Sequence, residues 1–119
     1  MQRFTEIKAW QRGHALVLKV YRATVAFPQT ERYGLISQLR RAALSVPTNI
    51  AEGSKRASNQ DYARFLNLAE GSLAEAEYLM MVSQDLGYLP IPAGSALLKE
   101  VGELARMLHA LRQRVETSK

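Results

Sequence analysis

The sequence contains no cysteine, which excludes disulfides and thiolate metal sites outright. Two histidines are too few for the ligand sets that hold zinc or iron, so neither a metal nor a cofactor is expected. Long apolar runs are missing as well. The opening stretch MQRFTEIKAW lacks the apolar core of a signal peptide, and no segment reaches bilayer-spanning length. A cytoplasmic location is therefore expected. Phosphate-cradling loops of the G-x-x-x-x-G-K-[ST] and G-x-G-x-x-G types are absent. So are H-E-x-x-H and the G-x-S-x-G elbow, and neither His14 nor His109 follows a Glu by three positions, as a di-iron bundle requires. The chain reads as non-enzymatic, with no catalytic residue.

Apolar residues at helical spacing are what the sequence does contain. Ile7, Trp10, His14, Val17, Tyr21 and Thr24 step by three and four, predicting a helix over about 7–26 with His14 as a core or boundary residue. Pro28 closes it. A second helix is predicted over about 31–53, with Thr30 as N-cap and Gly53 as a left-handed terminal residue. Its apolar stripe is Leu35, Leu39, Ala42/Ala43, Val46 and Ile50. The capping box SNQD, Ser58 to Asp61, opens a third helix over about 59–86, which Gly87 closes. A fourth, over about 92–115, carries the seam Leu97, Val101, Leu104, Leu108, Leu111 and Val115. No segment alternates with period two, so the fold class is all-α. Four such helices with short connections predict an antiparallel up-and-down four-helix bundle, one domain spanning residues 1–119.

Two features exceed what a lone bundle needs. The third helix has apolar residues, Leu68 and Val82, off its main stripe. Gly13, Gly71 and Gly102 sit inside helices, where each costs about 1 kcal/mol against alanine and suggests close approach of backbones. A homo-oligomer is expected, with Leu68, Gly71 and Val82 at its interface.

Charge is unevenly spread. Residues 1–56 carry a net +7, residues 57–103 a net −5 and residues 104–119 a net +3, for a total of +5. Pro47 lies in a predicted helix interior, where proline costs about 3 kcal/mol. Beside it runs a polar stripe, Gln38, Arg41, Ser45, Asn49, Glu52 and Arg56. The expected result is a bend at which Ser45 and Asn49 satisfy loosened backbone groups, with the stripe pairing to Glu70, Glu75 or Glu77 or to another subunit.

The run FPQTERYGLISQLRRAALSVPTNIAEGSKR, followed by YARFLNLAEGSLAEAEYLM, resembles the four-helix-bundle family of 23S rRNA intervening-sequence proteins. Accessory proteins of diversity-generating retroelements are related to that family. The resemblance runs from about Trp10 to Leu89 and rests on a YGL–QLRRA–NIAEG core. It makes Tyr33, Gly34, Leu35, Gln38, Leu39, Arg40, Arg41, Asn49, Ile50, Glu52 and Gly53 the signature positions. It implies a bundle assembled as a ring-shaped pentamer with a basic surface, and it brings no catalytic residues.

Two functions follow as expectations. The leading one is an oligomeric scaffold binding structured RNA or other nucleic acid through Arg12, Lys19, Arg22, Arg40, Arg41, Lys55 and Arg56. The alternative is a protein–protein adaptor with no nucleic-acid binding, its basic groups serving interfacial ion pairs.

Overall fold

Four helices carry most of the chain in the computed structural model, which describes residues 3–118: α1 (Lys8–Thr24), α2 (Leu35–Ser54), α3 (Asn59–Asp85) and α4 (Ile91–Thr117). Single 3-10 turns occupy Phe4–Glu6 and Gln29–Glu31. The described residues contain no strand, so the fold is all-α.

Each helix ends for a local reason. The Ser58 hydroxyl accepts the Asp61 N–H at 3.1 Å and opens α3. Gly87, at φ +78°, closes it with the Gly87 N–H on the Gln84 carbonyl and the Tyr88 N–H on that of Ser83, both at 2.9 Å. That pair of bonds is a Schellman motif, and the left-handed residue inside it favours glycine. Pro92 sits in the first turn of α4, where a missing N–H costs nothing.

One core unites the helices. Leu16 and Val20 of α1, Val46 and Ile50 of α2, Leu66, Leu73 and Met80 of α3, and Val101, Leu104 and Leu108 of α4 are essentially inaccessible to solvent. The apolar stripes expected for α2 and α4 face it, as do Leu66, Ala69, Leu73, Ala76, Leu79 and Met80 of α3, with Tyr62 and Leu111 partly buried at its margin.

The stripe expected for α1 is turned by about one position. Ile7, Val17 and Thr24 of the expected stripe are buried, joined by Ala9, Gly13, Leu16 and Val20, whereas His14 and Tyr21 lie on the solvent side and Trp10 is half-buried. Trp, His and Tyr are amphipathic, so the smaller aliphatic residues win the interior position.

Two further expectations are corrected. Helix α2 starts at Leu35, not near residue 31, and its N-cap is Gly34 rather than Thr30. The Glu31 carboxylate accepts the Leu35 N–H at 3.2 Å and satisfies the opening turn. Gly53 is not a left-handed terminus, because Gly87 alone among the described residues has positive φ. It is helical, and α3 packs onto it: a Cβ there would lie 2.7 Å from the Phe65 Cβ and 3.0 Å from the Tyr62 ring. The interior glycines read as points of close approach are open by comparison. A Cβ at Gly13 or Gly102 would make only ordinary contacts, and one at Gly71 would meet nothing within 4 Å.

Pro47 is buried inside α2. The Asn49 amide donates to the Ser45 carbonyl at 2.8 Å and to its hydroxyl at 3.0 Å, and the Thr48 hydroxyl donates to the Leu44 carbonyl at 2.7 Å. Polar side chains thus surround the turn that proline interrupts.

Gly53→Ala is expected to lower stability by about 1–3 kcal/mol through overpacking against α3. Gly102→Ala, in open space, is expected to raise it by about 0.5–1 kcal/mol. Thermal unfolding of the two variants beside the parent chain checks both signs.

Candidate interaction surfaces

The seven cations read as a nucleic-acid surface do not form one field. Arg12 and Lys19 lie against α4, bonded at 2.7 Å to Glu103 and Glu100 respectively. Arg40 reaches back to the end of α1. Its Nε donates to the Thr24 hydroxyl at 2.8 Å, its Nη2 to the Tyr21 carbonyl at 3.3 Å, and its guanidinium lies over the Tyr21 ring. A cation at a helix C-terminus is favourable for the same reason that its carbonyls lack partners. Arg56 lies 4.0 Å from Asp61 and over the Phe65 ring. Only Arg22, Arg41 and Lys55 of the seven are exposed and have no carboxylate within 4.0 Å among the described residues.

Most signature positions have local roles. Leu35, Leu39 and Ile50 are core, Gly34 opens α2, Gly53 admits α3 and Asn49 braces the Pro47 turn. Gln38 and Arg41 border a polar cavity of about 380 Å³ between α2 and α3, together with Ser45, Ser72 and Glu75. The Ser45 and Ser72 hydroxyls share a hydrogen bond at 2.8 Å across it. The polar stripe therefore meets α3 through the Ser45–Ser72 hydroxyls and through Arg56 and Asp61, with no ion pair among the described residues to the expected Glu70, Glu75 or Glu77. Glu70 instead takes Arg112 of α4, with His109 Nδ1 3.6 Å away. Tyr33 is 86% exposed, beside the Arg32 guanidinium, and has no packing role in the subunit.

Three groups are shifted in their titration. The bond to Glu70 holds the Arg112 guanidinium above its ordinary value, against the desolvation of its site. Burial raises the Tyr62 phenol, with Arg114 opposing. Tyr88 is raised by burial and then by its bond to Glu31, at 3.2 Å. Arg112 and Tyr62 sit at contacts between helices, and Tyr88 ties the α3–α4 connection to the Gln29–Glu31 turn. Among the described residues no three His, Asp or Glu gather as a metal site, and no helix is long and apolar enough to cross a membrane.

Two apolar surfaces remain. One is a groove of about 580 Å³ between α1 and α2, walled by Trp10, His14, Leu18 and Tyr21 on one side and Leu44 and Thr48 on the other, with Pro47 among its lining residues. The Trp10 and His14 rings stack at 5.0 Å, and Phe4 meets Trp10 edge-on at 5.2 Å. The groove is the solvent side of the turned α1 stripe. Trp10, His14 and Tyr21, expected on the core stripe, form its α1 wall together with Leu18.

The other surface is the outer side of α3. Leu68 is 48% exposed, Met81 48% and Tyr78 63%, with Gly71 open beside them. Val82, expected on this side, instead packs partly against the subunit's own core. Tyr78 and Met81 are the other large apolar side chains that the middle of α3 exposes.

The comparisons agree with this architecture. The solved structures include a crystal structure of a protein with unknown function from the S23 ribosomal protein family of Bacteroides thetaiotaomicron VPI-5482. It is 20% identical to this chain, with a TM-score of 0.79 over 87% of this chain and 97% of that one. No curated protein matches the sequence. The family description 23S rRNA-intervening sequence protein matches residues 5–110, extending the resemblance through most of α4. With nearly the whole chain covered, it belongs to the family of 23S rRNA-intervening sequence proteins.

Proposed function

We propose that this chain is a non-enzymatic scaffold, an antiparallel up-and-down four-helix bundle that assembles with its own copies into a ring and acts through protein–protein contacts. The antiparallel reading is supported by how partners count along neighbouring helices. From Arg12 to Lys19 the partners on α4 fall from Glu103 to Glu100. From Ser45 to Gly53 those on α3 fall from Ser72 to Tyr62 and Phe65. Opposite counting is what oppositely directed helices give.

The observation that carries the functional reading is the large apolar surface that α3 leaves exposed, with Leu68 48%, Tyr78 63% and Met81 48% accessible. Large apolar side chains left bare on a helix whose other side already fills the core mark a contact surface. The family resemblance supports a ring and is the sole support for five subunits. The absence of an enzymatic role is supported by the histidines, one stacked on Trp10 and the other beside Glu70 and Arg112. Neither meets a nucleophile that it could activate.

The adaptor reading is preferred to nucleic-acid binding because Arg12, Lys19, Arg40 and Arg56 already have partners within the subunit. Phosphate contacts would have to displace those partners. A specific feature favours RNA or DNA as the second reading. A cavity of about 560 Å³ at the α3–α4 end brings together Asn59, Gln60, Arg64, Asn67 and Arg112, donors and acceptors of the type that read phosphates and base edges. Arg64 and Arg112 are bound there to Asp61, Glu70 and Glu116.

Binding to a labelled RNA hairpin and to duplex DNA, measured at low and physiological salt, separates the two readings. The adaptor reading expects weak association at low salt that vanishes at physiological salt. Retained binding at physiological salt, lost in the triple variant Arg22→Ala, Arg41→Ala, Lys55→Ala, would overturn it in favour of a nucleic-acid scaffold.

A further inference from the structure

We infer that the α1–α2 groove is a binding site for a small organic cation, an amine carried on an apolar or aromatic tail. The site is separate from the outer side of α3 and does not depend on self-assembly.

Size and lining are the first argument. The groove, about 580 Å³ in volume, falls inside the range of about 300–1,000 Å³ usual for small-molecule sites. Its walls are aromatic and aliphatic, and only His14, Tyr21, Thr48 and Glu52 bring polar groups. The Thr48 hydroxyl is already bonded to the Leu44 carbonyl, and the His14 ring is stacked on Trp10. A few polar groups on apolar walls fix how a ligand lies.

Charge is the second. Glu52 is the single carboxylate of the lining, and no Lys or Arg belongs to it. The Glu52 side chain has no cation within 4.0 Å among the described residues. Lys55 and Arg56 follow it by about one turn but lie outside the lining, and Arg56 is drawn to Asp61 and the Phe65 ring on α3.

Position is the third. Arg40 of α2 bonds to Thr24 at the end of α1, and Gly13 lies beside Pro47. Earlier residues of α1 thus stand against later residues of α2, and one further turn sets Trp10 level with Ala51 and Glu52. Phe4 meets Trp10 edge-on at the same end. Aromatic rings beside an unpaired carboxylate suit an ammonium group, which both attract. The far end differs, because the Arg40 guanidinium already lies 4.5 Å from the Tyr21 ring centroid and repels a second cation. The ligand's ammonium therefore sits at Glu52, and its tail runs past Leu18 and Leu44.

Trp10 is the one tryptophan of the chain, so its emission reports on the groove directly. Phenylbutylamine, phenylbutanol and phenylbutyrate share a tail and differ in charge, and each is titrated against the full chain at neutral pH. A saturable change in emission is expected, with the amine binding about tenfold more tightly than the alcohol and the carboxylate weakest. Glu52→Gln, at an exposed position, should bring the amine down to the alcohol and leave the alcohol unchanged. Equal affinity for the three probes, or a preference for the carboxylate, overturns the assignment of a cation. So does a Glu52→Gln variant that keeps the amine's advantage. No saturable response to any probe, the behaviour of a groove that another copy covers, overturns the site itself.

Discussion

A helix in a four-helix arrangement has one side to give to the shared core, and the constraint on this chain is that α1 and α3 are apolar on two. The core takes Leu16, Val17 and Val20 from α1, and Leu66, Leu73 and Met80 from α3. Trp10, His14, Leu18 and Tyr21 are then left along the outer flank of α1, and Leu68, Tyr78 and Met81 are left exposed on α3. Covering a large side chain that is half exposed is worth about 1 kcal/mol, so a handful of them supply a driving force once water is excluded from both surfaces. Neither surface can be hidden by rotating its helix, because the opposite side is already close-packed.

Charge does not follow the same division. The uneven distribution along the sequence is absorbed in part within the subunit, with Arg12 and Lys19 of α1 on α4 anions and Arg112 on Glu70 and Glu116. Such exposed or half-exposed pairs contribute about 0–1 kcal/mol each and position helices more than they stabilise them. Without an oppositely charged partner within 4.0 Å among the described residues are Arg22, Arg41 and Lys55, but also Lys8, Arg32, Lys99, Arg106 and Arg114, and on α3 Glu75, Glu77 and Asp85. Free charge of both signs is thus spread over the surface.

Three of the helices were legible in the sequence because their stripes are aliphatic and leave one possible orientation. Helix α1 was legible in its extent but only in part in its facing, because Trp10, His14 and Tyr21 share helical spacing with the true core residues and periodicity cannot rank two adjacent stripes. Gly53 was misread for a different reason. Glycine after a helix and glycine beneath a crossing helix look alike until the position of Phe65 is known. The end of α3 was legible, since Gly87 before two prolines has one sensible reading. The basic surface was the least legible part. A list of Lys and Arg positions does not reveal which of them meet Glu100 and Glu103, distant in sequence and adjacent only after folding. Of the family signature, Tyr33 and Glu52 are exposed and have no packing role inside one subunit.

The measurement that bears most directly on the surplus of apolar surface is the mass of the chain in solution by light scattering at micromolar concentration. The account predicts a species several times heavier than the 13.3 kDa chain. A homogeneous monomer would mean that the outer side of α3 stands bare to water, and the account would be wrong.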